Sequence, residues 1–224
     1  MAVTDEAINQ IKGMILSGKL SPGDRLPREA DLADRLGLSR NSLREAVRAL
    51  ALINVLDVRQ GDGTYVTSLH PSLLFDVLSF VVDLHDETTA LQFFEVRRVL
   101  EPAATALASQ RMTDDDVGEL RDMIAALPGD PTAEQLVAHD LKFHRRIALG
   151  SGNQVLCSLI ESLSGPTIRA ETCRGLTRPA AVEELRRHHE AICAAIANRQ
   201  AEVARSWATV HITRIEEWHR IALD

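Results

Sequence analysis

At 224 residues the chain is long for one small domain and comfortable for two, each able to bury its own core. Hydrophobic residues make up 45% and charged residues 25%, an ordinary globular balance, while 4% aromatics beside abundant Ala, Leu and Arg favour helix over sheet. No apolar run is long enough to cross a bilayer, and the opening MAVTDEAINQ lacks the basic-then-apolar order of a signal peptide, so neither a membrane partner nor secretion is expected.

Cys157, Cys173 and Cys193 are too far apart for a metal knuckle or a disulfide framework, and suit buried thiols in a reducing cytoplasm. The net charge of −7 argues against nucleic acid only until its distribution is read. Residues 1–68 hold 9 Lys+Arg and 9 Asp+Glu, whereas residues 69–224 hold 16 and 23 and account for the whole excess. A neutral segment can read DNA if its contacting face is basic and its acids point elsewhere.

The first predicted helix carries Ile8, Ile11 and Ile15, with Met14 and Leu16, and ends at Gly18 and the SPGDRLP stretch. A second, short helix is marked by Leu32 and Leu36 and stopped at Gly37. Ser39 is a suitable N-cap for a third, with Leu43, Val47 and Leu50 as its inner stripe. LDVRQGDGTYV then predicts strand, glycine-rich turn, strand. The outward face of the third helix presents Arg40, Asn41, Arg44 and Arg48. Arginine can donate bidentately to guanine or clamp phosphate, and Asn can pair with adenine; Gln60 and Gly61 of the hairpin would lie against the backbone or minor groove. A basic helix face alone is often merely solvated, but the order helix, helix, Gly, capped basic helix, Gly-rich hairpin is that of a winged helix-turn-helix.

After Pro71 the pattern is helical throughout, with helices near 72–84, 88–110, 113–127, 132–149, 153–172, 180–198 and 200–222. The fold class is therefore mostly α: a winged helix-turn-helix over residues 1–68, then an antiparallel bundle of six or seven helices over residues 69–224.

Polar residues fall on the inner stripes of that bundle. Leu136, Phe143 and Ile147 define one stripe, and Asp140 and His144, one turn apart, share its side. Val182, Leu185, Ile192 and Ile196 define the next, with His189 between them and His188 on the flank. In the last helix Val203, Trp207, Ile215 and Trp218 leave His211 in an interior slot. A buried carboxylate is costly unless paired or bound to metal. One reading is a satisfied polar core, Asp140 pairing with one imidazole. The other is a divalent metal ion on Asp140, His144, His189 and His211, a set that suits Zn²⁺ and also accepts Ni²⁺ or Mn²⁺. Arg97 either pairs with Glu101, four residues on, or grips a ligand carboxylate.

The stretch from Gly23 to Val66 resembles the DNA-binding domain of the GntR family of regulators. The matching marks are Leu26-Pro27, Leu32-Ala33, Gly37-Leu38-Ser39-Arg40, Arg44-Glu45-Ala46 and the Gly61–Val66 wing. The resemblance implies DNA contacts from Ser39, Arg40, Asn41, Arg44, Gln60 and Gly61. The family usually has arginine where this chain has Ala30; Arg28 is the nearest substitute.

The second half is similar to the metal-binding FCD ligand domain of the FadR subfamily. The marks are Glu95-Val96-Arg97-Arg98-Val99-Leu100-Glu101-Pro102, Asp140-Leu141-Lys142-Phe143-His144, Gly152-Asn153, His189-Glu190-Ala191-Ile192 and His211. That resemblance implies a small organic or sugar acid whose carboxylate lies on the metal. The expected function is a ligand-responsive transcription regulator, a repressor, binding double-stranded operator DNA as a homodimer. Two readings stand beside it: a DNA-binding protein whose metal is purely structural, and a metal-dependent enzyme fused to a DNA-binding domain.

Overall fold

The computed structural model describes residues 3–70, 73, 87–163 and 179–223. Two compact units emerge, Met1–Leu74 and Phe75–Asp224.

In the first unit, α1 (Val3–Leu16), α2 (Glu29–Leu36) and α3 (Arg40–Leu52) pack over a hairpin of β1 (Leu56–Arg59) and β2 (Gly63–Val66). Gly37 ends α2 in the left-handed conformation, φ 67°, which lets α3 start in a new direction without a Cβ penalty. Ser39 then caps α3, its side chain accepting from the backbone N–H of Ser42 at 3.0 Å. The strands pair from Leu56↔Val66 to Arg59↔Gly63, so Gln60, Gly61 and Asp62 form the wing tip, with Gly61 at φ 76°. SPGDRLP does more than end a helix. The Leu26 amide donates to Thr64 O at 2.8 Å and the Val66 amide to Asp24 O at 2.9 Å, so the segment lies along β2 as a third extended edge.

Ile11, Leu32, Leu43, Val47 and Leu50 meet in one core as expected, joined by Ala7, Leu56 and Val66. Leu16 departs from the expectation: it is 86% exposed, because the burying face of α1 runs through Ala7 and Ile11.

The second unit contains α4 (Glu87–Arg111), α5 (Asp114–Ala125), α6 (Ala133–Gly150), α7 (Gln154–Ser162), α8 (Pro179–Ala197) and α9 (Ala201–Leu223). All but residue 73 of the helix expected at 72–84, the far half of the one expected at 153–172, and Cys173 lie outside the described residues. Capping boxes Thr113/Asp116 and Thr132/Gln135 start α5 and α6. Arginines from elsewhere in the bundle satisfy carbonyls at helix ends: Arg199 bonds Met112 O past α4, and Arg186 bonds Ile124 O and Leu127 O at the end of α5.

The bundle interior is layered. One apolar cluster holds Phe94, Leu136, Leu185, Ile212 and Ile215; a second holds Ala108, Phe143, Ile147, Ile192, Ala204 and Ala208. Between them α4 contributes buried Arg97 and Glu101, α6 Asp140 and His144, α8 His188 and His189, and α9 His211. Four helices thus turn polar at the same level.

The expected stripe of α9 needs correction in its first half. Val203 and Trp207 are 44% and 38% exposed, and Ala204 and Ala208 are buried instead. Alanine permits close packing beside Ala108 of α4, and that gain outweighs burial of the bulkier side chains. The second half, through His211, Ile215 and Trp218, is buried as expected.

Candidate metal centre and nucleic-acid face

Arg28, Ser39, Arg40, Asn41, Arg44, Arg48, Gln60 and Gly61 are all exposed on the first unit. The inner stripe of α3 forces this arrangement, since Leu43, Val47 and Leu50 point into the core and the arginines away from it. Two of the arginines are paired: Arg44 with Glu29 at 3.2 Å and Arg48 with Glu45 at 2.8 Å, all four side chains largely solvated. The wing adds cations that the linear pattern did not single out. Arg59 lies 4.3 Å over the Tyr65 ring and 2.8 Å from Asp57, and Arg25 bonds the Asp62 carbonyl at the wing tip. Arg25 stands far from the wing in sequence, and only the third extended edge brings it there.

In the second unit Asp140 and His144 of α6, His189 of α8 and His211 of α9 are all buried, and each offers a ligand atom within 4.8 Å of the others. Asp140 Oδ1 stands 3.3, 3.4 and 3.5 Å from Nε2 of His144, His189 and His211, and the Nε2 atoms of His144 and His211 are 2.8 Å apart. Atoms sharing one cation through bonds of about 2.1 Å stand roughly 3.4 Å apart at tetrahedral corners. The spacing therefore fits one divalent ion. His189 Nε2 makes no hydrogen bond among the described residues, as expected of a lone pair reserved for metal.

The titration of the site agrees with this. Burial lowers His144, but the Asp140 and Glu101 carboxylates outweigh it and raise it to about 8. Burial drives His189 well down, opposed by Asp140, and takes His211 down to about 4.

Of the outer contacts, only the Arg97–Glu101 pair was legible from the i, i+4 spacing. Glu101 Oε2 lies 3.1 Å from His144 Nδ1 while Glu101 Oε1 accepts from Arg97 Nε at 2.5 Å. His139 Nε2 lies 3.2 Å from His189 Nδ1. His188, expected on the flank, is buried, with its ring 5.8 Å from that of His211 and edge-on to it. Arg97 is 1% exposed, its guanidinium 5.1 Å over the Phe94 ring. Its Nη1 and Nη2 have no hydrogen-bond partner among the described residues. His144 also lines a cavity of about 500 Å³, together with Lys142, Arg145 and Ile160.

A winged helix-turn-helix with a basic outward face, followed by a helical bundle with a buried Asp/His₃ centre, defines a class of DNA-binding transcription regulators. Residues 3–66 match the model of bacterial regulatory proteins of the gntR family, and residues 92–214 match the FCD domain. The chain belongs to the GntR family, with an FCD domain as its second half. It is 28% identical to the HTH-type transcriptional regulator LutR of Bacillus subtilis over 211 residues, covering 91% of this chain and 95% of that protein. Identity is also 28% over 220 residues to an Escherichia coli protein named as a regulatory protein of the L-lactate dehydrogenase operon, covering 94% and 84%. Among solved structures, a GntR protein of Streptococcus agalactiae superposes with a TM-score of 0.68 at 27% identity, covering 96% of this chain and 99% of that one. These relatives are regulators, and neither domain belongs to an enzyme family, so the fused-enzyme reading is set aside. No helix among the described residues is long and apolar enough to cross a membrane.

Proposed function

We propose that this regulator represses transcription until a small carboxylic acid binds beside a metal in its second domain. Residues 1–68 read double-stranded operator DNA through Arg28, Ser39, Arg40, Asn41, Arg44 and Arg48, with Gln60 and Gly61 on the flanking backbone. Residues 69–224 hold the metal and ligand and form a homodimer, because one helix-turn-helix covers too little DNA for specificity and a pair suits a two-fold operator. A single monomeric boundary in sedimentation, with and without operator, would count against the dimer. Asp140, His144, His189 and His211 would hold Zn²⁺, with Ni²⁺ or Mn²⁺ as alternatives. A divalent ion there supplies a Lewis-acid contact for a carboxylate.

The observation that carries the acid-sensing reading is Arg97. A fully buried guanidinium whose two terminal nitrogens have no hydrogen-bond partner among the described residues is costly, and a carboxylate is the group that its fork matches. Pairing with Glu101 through Nε leaves that fork open, so the two earlier readings of Arg97 are compatible. The lactate operon in the name of the Escherichia coli relative makes L-lactate the first acid to try.

Calorimetric titration of a panel of hydroxy, dicarboxylic and sugar acids into metal-loaded protein tests the reading. At least one acid should bind and release operator DNA, and Arg97→Met should weaken it about 10- to 100-fold, the loss of a charged hydrogen-bond pair. Metal binding with no acid bound would leave the metal purely structural, whereas equal acid binding to Arg97→Met would remove Arg97 from the ligand site.

A further inference from the structure

We propose that Glu101 is the positioning residue of the metal centre: its carboxylate holds the His144 ring so that Nε2 faces the ion. The inference rests on the metal reading above and goes beyond it to a residue outside the ligand set. Glu101 sits on α4, 3% exposed, opposite His144 of α6. Its two oxygens face different partners, Oε1 toward Arg97 Nε at 2.5 Å and Oε2 toward His144 Nδ1 at 3.1 Å. Arg97 can only donate, so it locks the carboxylate in one orientation and keeps the second oxygen aimed at the imidazole.

An imidazole that gives its Nδ1 proton to a carboxylate presents the Nε2 lone pair, and the negative charge behind the ring makes that nitrogen a better donor to metal. The three histidines differ in this respect. Among the described residues His189 has the imidazole of His139 behind it, at 3.2 Å, and His211 Nδ1 has no hydrogen-bond partner. Among the described residues, His144 is the histidine of the three with a carboxylate at its outer nitrogen, so it should dominate affinity.

The test is Zn²⁺ affinity of the full chain, by competition with a chelating dye, for wild type, Glu101→Gln, His144→Ala and the double variant. Glutamine keeps the size and an acceptor for Arg97, but turns an N–H toward His144 Nδ1 and favours the wrong tautomer. Glu101→Gln should weaken Zn²⁺ binding about 10- to 100-fold, the usual effect of losing such a partner. Because Glu101 acts through His144, the double variant should bind within about twofold of His144→Ala alone.

Wild-type affinity in Glu101→Gln, or a further tenfold loss in the double variant, overturns the proposal. Should Glu101→Gln not fold, long-range ¹H–¹⁵N imidazole spectra of the Zn²⁺-loaded wild type decide. Nδ1–H on His144 supports the proposal, and Nε2–H overturns it. A wild type that binds none of Zn²⁺, Ni²⁺ and Mn²⁺ overturns the metal reading, and this proposal with it; a binding wild type with an equal Glu101→Gln overturns the role of Glu101 alone.

Discussion

Arg44, proposed above to read DNA, would have to exchange a protein partner for a base. In the free protein it pairs with Glu29 at 3.2 Å, with both side chains about half exposed. Such a pair contributes at most about 1 kcal/mol, whereas a bidentate base contact is worth about 1–3 kcal/mol, so an operator guanine would outcompete Glu29. Arg44→Ala should lower operator affinity by about 1–3 kcal/mol per half-site, while the fold changes by no more than about 0.5 kcal/mol. Gel-shift titration at fixed salt, with a thermal melt as control, checks both numbers. Unchanged affinity would remove Arg44 from the reading face. Arg44 and Arg48 were identifiable from the phase of α3, but their partners were not: Glu29 lies on a different helix, and its approach depends on the turn at Gly37.

At the scale of an element, α9 carries the lesson. Hydrophobic weight places its inner face at Val203 and Trp207, yet the helix rolls to bury Ala204 and Ala208 in the same cluster as Ala108. Two helices can approach closely only where neither presents a large side chain, and close approach also brings His211 against Asp140. Ala208→Leu should therefore destabilise the second unit by about 1–3 kcal/mol through overpacking. Val203→Ala, though it removes apolar atoms, should cost less, within about 0.5 kcal/mol, because Val203 is 44% exposed and stands outside the buried cluster. Urea melts of the two variants give the comparison. The reverse order would mean that α9 sits in the register that hydrophobicity alone suggests.

For the molecule as a whole, the buried Asp140/His centre predicts a dependence of stability on pH and, with an ion bound, on metal. An unfolded imidazole titrates near 6.5, so His211, at about 4 in the fold, gives full stability above about pH 6.5 and loses it as pH falls toward 4. His189, His139 and His188 are also lowered, chiefly by burial, and add to the acid limb. His144 works in the opposite sense: raised to about 8, it stabilises fully below about pH 6.5, and that contribution fades as pH rises through 8. The His211 contribution alone is on the order of 3 kcal/mol. Metal-free protein should thus be most stable near pH 6.5 and weaken on both sides. With metal bound the imidazoles stay neutral, so the alkaline loss should vanish and the acid loss remain. Thermal melts from about pH 4 to about pH 9, after chelation and after Zn²⁺ loading, test this. Identical curves for the two forms would argue that no ion binds at these residues.

The linear pattern carried the element order, the cap at Ser39, the wing, the basic face of α3 and the inward phase of Asp140, His144, His189 and His211. All of these follow from interactions within a turn or two of chain, where helical periodicity and capping chemistry act. Three features depended on segments distant in sequence meeting across the fold. Arg25 reaches the wing because the edge strand at 23–26 pairs with β2, Glu101 reaches His144 because α4 packs on α6, and α9 rolls toward its alanines because Ala108 faces it. Periodicity says which side of a helix is buried, not which neighbour waits there. Imidazole nitrogens 3.3–3.5 Å from Asp140 Oδ1, and an Arg97 fork without hydrogen-bond partners among the described residues, therefore belong to the tertiary structure alone.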